Sequence, residues 1–148
     1  MAASPSPFPR ICISSLEGRA RSVRFQKSQL RRLHEELVQS RNEIQELMIK
    51  EEHHTEKEAA FEYVLLLSEL SNHYAALNSK SQLQLARRIE LRENNISRTR
   101  SVDIVYIVPS KHTPVYSIIS PIGAAISAGS CIIVEVKRTP LSLTGPKR

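Results

Sequence analysis

Apolar positions along the chain fall first into helical stripes and then into two short β-rich runs on either side of one apolar helix. Between Val23 and Gln39, Leu30, Leu33 and Leu37 recur at spacings of three and four, the period of a helix with one inward face. "SRNE", Ser40 to Glu43, is a capping-box pattern, so a second helix is predicted from there, with Ile44, Leu47 and Met48 on one face. Thr55 and Glu58 repeat the pattern and open a third helix, whose stripe is predicted as Phe61, Val64, Leu65, Leu67, Leu70, Tyr74 and Leu77. Charged residues fill the opposite faces, and no heptad survives the breaks. An antiparallel helical layer is therefore expected rather than a long coiled coil.

From Asn78 to Ser101 the periodicity dissolves into polar and basic residues, and a solvated connector is expected. "VDIVYIVP" then reads as a short buried strand ended by Pro109. Pro114 suits a helix start, Val115 to Ala128 can continue that helix, and Gly129 is placed to stop it. "CIIVEV" reads as a second strand. The run from Pro114 to Val134 carries no charge and invites comparison with a membrane span. A span needs about 20 apolar residues in a single helical piece, whereas Pro121, Gly123 and Gly129 divide this one. Strand, helix and strand in so short a stretch is the period of a parallel βαβ unit, and that reading is preferred.

The chain has 148 residues, 41% hydrophobic and 24% charged, within reach of one folded domain. A net charge of +6 raises nucleic-acid binding, but the cations are scattered among acids and there is no Trp to stack a base. No nucleic-acid partner is expected. Cys12 and Cys131 make no disulfide framework, so a reducing, cytoplasmic setting is expected. The opening from Met1 to Leu33 shares the Arg- and Ser-rich composition of a transit peptide, yet Pro5, Pro7 and Pro9 interrupt an amphipathic helix. A flexible tail is expected over its first 20 residues.

The order of these parts resembles the N-terminal portion of the NAD(P)-dependent aldehyde dehydrogenase superfamily, fungal type. "RFQKSQLRRLHEELVQSRNEIQELMIKE", Arg24 to Glu51, resembles that family's helical opening, and "EKEAAFEYVLLLSELSNHYAAL" resembles its following acidic helix. "IVYIVPSKHTPVYSIISPIGAAISAGSCIIVEVKRT" resembles its strand, "P-W-N-Y-P" turn, "P-L-I-G-A-I-A-A-G-N" helix and "V-V-L-K-P-S-E" strand. The resemblance implies a partial Rossmann-like unit at the cofactor site, with Pro109, Lys111 and Glu135 as residual cofactor-binding positions.

Departures from the family pattern matter as much. The turn reads "PSKHTP", so the asparagine that would donate to a developing oxyanion is missing. The places of Lys-Pro-Ser-Glu are Glu135, Val136, Lys137 and Arg138, with both charges reversed, and Glu135 would repel a 2′-phosphate. The family's nucleophilic cysteine, general-base glutamate and glycine-rich turn lie beyond its second strand, and Cys131 aligns with none of them. The family uses NAD or NADP; here no bound cofactor and no catalytic residue are expected.

The cluster "KEEHHTEKE" sets Glu52 and Glu56, or His53 and Glu56, at helical metal-ligand spacing, but a solvated inter-helix turn explains it as well and no metal site is expected. His34, His73 and His112 stand alone in the sequence. The expected fold is α/β with an α+β tendency: a tail to residue 20, helices over 21–78, a linker over 79–101, a βαβ unit over 102–139 and a tail over 140–148. The expected role is that of a truncated aldehyde-dehydrogenase-like protein in a biosynthetic, secondary-metabolite pathway, accessory or non-oxidative. An assembly partner within a homo-oligomer or larger complex, and a small membrane-associated protein, are the alternatives. A small-molecule ligand is compatible with any of them.

Overall fold

The computed structural model describes residues 8–50, 54–77, 84, 101–110 and 113–135, and the backbone of Glu51. Among these the elements are α1 (Phe8–Glu17), a 3-10 turn (Arg19–Arg21), α2 (Val23–Gln39), α3 (Arg41–Glu51), α4 (Glu56–Ala76), β1 (Ile104–Ile107), α5 (Pro114–Ala128) and β2 (Cys131–Val134). The protein is mostly helical with one small parallel sheet. The predicted linker lies outside the described residues apart from residues 84 and 101, and so does the C-terminal tail.

Helix α2 buries Val23, Gln26, Leu30 and Leu37, and with Leu70 and Leu77 of the α4 region the four leucines and Val23 form one apolar cluster. Met48, Ala59 and Leu66 form a second cluster against Val115, Tyr116 and Ile119 of α5. Leu30, Met48 and Leu66 are the largest fully buried side chains, each worth about 1.5–3 kcal/mol of transfer from water. The chain turns from α2 into α3 at Ser40, where a helix predicted from the capping pattern does begin. Leu37 carries one of the last carbonyls of α2, which lack helical amide partners. The buried Tyr63 hydroxyl donates to it at 3.0 Å, tying α4 to this corner.

The reciprocal capping box at the start of α4 forms as predicted. Glu58 N–H donates to Thr55 Oγ1 at 3.3 Å, and Thr55 N–H donates to Glu58 Oε2 at 2.8 Å. The inward stripe differs from the predicted one. Leu70 and Leu77 are buried, but Phe61 and Val64 are 66% and 59% exposed, and the buried face runs through Ala59, Tyr63, Leu66 and Leu70. Between Ala59 and Leu67 apolar residues surround the helix, so periodicity cannot select a face; packing against α2, α3 and α5 selects it.

Helix α5 begins with Pro114 in its first turn and contains Pro121, which removes the amide that would bond to the Ser117 carbonyl. It ends where predicted. Gly129 is left-handed (φ 77°), its N–H donates to the Ile126 carbonyl and Ser130 N–H donates to the Ala125 carbonyl, both at 3.0 Å, the two bonds of a Schellman motif. With 15 residues α5 is about 22 Å long at 1.5 Å per residue, below the roughly 30 Å of a bilayer core. No helix among the described residues is long and apolar enough to cross a membrane.

The two strands pair in parallel, Ile104 opposite Cys131 through Ile107 opposite Val134. Both are shorter than predicted, because the ladder lasts only where the two runs lie in register. Ile107 is buried while Val102, Tyr106 and Val108 are 65%, 59% and 54% exposed, so one face of β1 is covered and the other is open. Residues 8–17, expected in a tail, form α1 instead, packed against β1 and β2. Pro9 falls in its first turn, where the missing amide costs nothing, so it does not break the helix.

Two glycines set how closely elements approach. A Cβ on Gly123 would stand 2.6 Å from Leu70 Cδ2. One on Gly129 would stand 2.6 Å from Gln26 Nε2 and 3.1 Å from backbone atoms of Ala20 and Arg21, with an unfavourable φ besides. Gly129→Ala is therefore expected to lower unfolding free energy by about 2–3 kcal/mol. Gly123→Ala should cost about 1–2 kcal/mol, because Leu70 must shift but helix propensity improves. Urea unfolding of both variants checks this order.

Candidate functional site

Two polar groupings stand out, one at the end of the sheet and one between α4 and α5. The first contains the positions predicted from the family resemblance. Pro109 lies two residues beyond Ile107 and Glu135 one beyond Val134, so both sit at the C-terminal end of the parallel pair, where open α/β sheets place ligands. Glu135 N–H closes the ladder by donating to the Ile107 carbonyl at 2.9 Å. Lys111 and His112 lie outside the described residues, as do Val136, Lys137 and Arg138.

The Glu135 carboxylate is already engaged. Tyr106 Oη donates to Glu135 Oε2 at 2.6 Å across the open face of the sheet. That hydrogen bond to a carboxylate holds the phenol above its ordinary pKa, so it stays protonated and acts as a donor, not a base. In the β1–α5 loop, Ser110 N–H donates to Ser117 Oγ at 2.9 Å, while the Ser117 hydroxyl bonds back to the Pro114 carbonyl at 3.2 Å. That amide is therefore turned toward the chain's own helix.

The second grouping was missed by local motif reading, because its members come from distant segments. Glu62, Glu69 and His73 of α4 meet Tyr116, Ser120 and Ser127 of α5. The Tyr116 hydroxyl donates to Glu69 Oε1. The Ser120 and Tyr116 hydroxyls together hold the Glu69 carboxyl below its ordinary value, and Tyr116 in turn is raised, first by its bond to Glu69. His54 Nδ1 lies 3.4 Å from Glu62 Oε2, both side chains largely buried. The spacings 62–69–73 and 116–120–127 are helical, so a polar line on each helix was the available signal.

Ser127 and His73 invite comparison with a nucleophile and its base, their Oγ and Nδ1 lying 3.4 Å apart. The Ser127 proton, however, is given to the Ala124 carbonyl at 2.8 Å, the backbone bond of a helical serine. This seam joins two helices, and its chemistry is hydrogen bonding.

Elsewhere, a groove of 340 Å³ between α2 and α4 is lined by residues including Leu30, His34, Leu70 and Tyr74. Arg31 on its wall bonds Glu35 at 2.8 Å, and the Tyr74 ring has Lys27 5.0 Å from its centre. Cys131, half-buried, lines a 300 Å³ groove with Arg10, Ile11, Ser14 and Ile132. No group of three or more His, Cys, Asp or Glu side chains among the described residues could hold a metal ion. Glu52 and His53 of the histidine-rich cluster lie outside the described residues.

No family model, curated protein or solved structure matches the chain.

Because Glu69 is depressed in the folded state, its contribution to stability is present above the ordinary carboxylate range and is lost as pH falls through and below it. Tyr116→Phe should cost about 1 kcal/mol at pH 7, a charged hydrogen bond discounted for partial solvent access. The gap from the unaltered protein should close as pH falls through and below the ordinary carboxylate range. Denaturant unfolding across pH measures it; a gap that is independent of pH would assign the loss to packing instead.

Proposed function

We propose that this protein is an assembly module that pairs with a second copy of itself through the open side of its two-stranded sheet. The observation that carries the reading is the exposed Tyr106 of β1, with exposed Val102 and Val108 flanking the strand, in a sheet whose two strands have only each other as neighbours among the described residues. Parallel strands are normally buried within larger sheets, and an uncovered apolar edge is a template for further pairing. A second copy is the occupant that needs no other complementarity. About a twofold axis normal to the sheet, β1 meets its own counterpart antiparallel, and two pairs become one four-stranded sheet. Apolar residues that are isolated in one copy then face one another.

The dehydrogenase-like reading is second, favoured by the parallel strand–helix–strand order and by the glycine stop at Gly129. It makes the βαβ unit a Rossmann-like remnant and Glu135 a residual ribose contact. The Tyr106 bond to Glu135 weighs against it, because a ribose hydroxyl would have to displace the phenol.

Tyr106→Lys and Val108→Asp, both exposed on the open side of the sheet, should each move self-association to at least about tenfold higher concentration, since a charge in a pairing surface must be desolvated. Glu46→Lys, on the outer face of α3, should leave it in place. Light scattering over a dilution series decides; a monomer at every concentration, indifferent to these changes, overturns the assembly reading. The protein should form no reduced cofactor when given aliphatic or aromatic aldehydes with NAD or NADP. Thiol-alkylation-sensitive reduction would instead make Cys131 a nucleophile.

A further inference from the structure

Helix α1 is apolar on two sides, and the protein covers one of them. Ile11, Cys12 and Ser15 are half-buried where the helix packs against β1 and β2. Ile13 and Leu16, three residues apart and so on one side of the helix, are 57% and 83% exposed. A surface helix ordinarily turns charged and polar residues to solvent, so large aliphatic side chains there mark a face suited to contact.

The charge around that face is of one sign. Residues 8–33 carry seven Lys or Arg and one acid, Glu17, a surplus of six that equals the net charge of the whole chain. Three of the seven are engaged within the fold: Arg21 with Asp103 at 2.6 Å, Arg31 with Glu35 at 2.8 Å, and Lys27 over the Tyr74 ring. Arg10, Arg19, Arg24 and Arg32 are exposed and pair with no acid among the described residues. Arg19 follows Leu16 by three residues and lies 5.2 Å from the centre of the Phe25 ring. With Ser22, Arg24, Phe25 and Ser28 it lines a groove of 360 Å³. Arg24, Ser28 and Arg32 follow at spacings of four on a side of α2 turned away from its buried Gln26 and Leu30. No acid stands in the first turn of α2, so the positive end of that helix adds to the same field.

We propose that α1 and the N-terminal half of α2 form a docking surface for a membrane rich in anionic lipid, with Ile13 and Leu16 entering the boundary between headgroups and acyl chains and Arg10, Arg19, Arg24 and Arg32 meeting lipid phosphates. The contact is with one leaflet and involves no spanning helix. It is independent of pairing through the sheet. Two aliphatic side chains or four arginines alone hold a bilayer weakly, and it is their combination that gives lasting attachment. A nucleic acid would use the same arginines but has no use for Ile13 and Leu16, and Phe25, the aromatic residue in the groove, already has Arg19 over its ring.

The test sediments the full chain with vesicles of phosphatidylcholine, alone or with about 30% phosphatidylserine. Binding to the mixed vesicles should be at least about tenfold tighter, and should be largely lost at about 1 M salt, where the screening length falls to about 3 Å. Arg19→Gln and Arg24→Gln should each weaken it about fivefold. Ile13→Ser and Leu16→Ser should each weaken it about tenfold, whereas Lys57→Gln, on the exposed start of α4, should leave it unchanged. The lipid and salt comparisons use the unaltered chain, so they decide even if a variant folds poorly. No sedimentation with the mixed vesicles at low salt, or equal binding to both compositions, overturns the proposal. Salt-sensitive binding that is indifferent to Ile13→Ser and Leu16→Ser overturns it too; tighter binding to polyuridylate than to vesicles would then assign the arginines to a nucleic acid.

Discussion

The approach of α5 to α4 at Gly123 is the constraint on which the rest of the arrangement depends. A side chain there would collide with Leu70, which is itself buried against α2. Because the two helices close to that distance, Ile119 and Ile126 reach the leucine cluster and Tyr116 reaches Glu69. The strands follow from this, since each is tethered to an end of α5. Gly129 then returns the chain against Gln26 and the Ala20–Arg21 backbone, so α2 and the turn before it are fixed to the same corner.

Much of this order was legible in the residues. Helix boundaries came from local signals that act on the nearest few backbone groups: the Thr55–Glu58 box, Pro114, and Gly129 beyond Ala128. The parallel pairing followed from two β-rich runs joined by a helix. What escaped was decided at longer range. The inward face of α4 was ambiguous because Phe61, Val64 and Leu65 compete with Tyr63 and Leu66 for the same core, and only the positions of α2, α3 and α5 resolve it. Helix α1 escaped because its stability lies in docking on strands more than 80 residues away in sequence.

The candidate chemistry was less legible for a related reason. Pro109 and Glu135 could be placed at one end of the sheet from strand order alone, but the Tyr106 phenol that occupies Glu135 depends on the register of the two strands. The α4–α5 seam joins residues 47 and 54 positions apart, and no short motif spans that separation. Side chains that suggest catalysis in a list act here as connections between elements. The Ser127 hydroxyl donates a hydrogen bond to a carbonyl of its own helix, and the Glu69 carboxylate accepts one from Tyr116.

Pro121 divides α5 in a way that bears on how the helix opens. Without its amide, the ladder is interrupted at the Ser117 carbonyl, between a first half held by Tyr116 and a second half held by Gly123 and the Gly129 stop. The two halves are anchored to α4 at separate points, so a transient break at the proline need not propagate. Amide hydrogens before and after residue 121 are then expected to exchange with solvent as two blocks, the later one opening together with β2, against which that end of the helix packs.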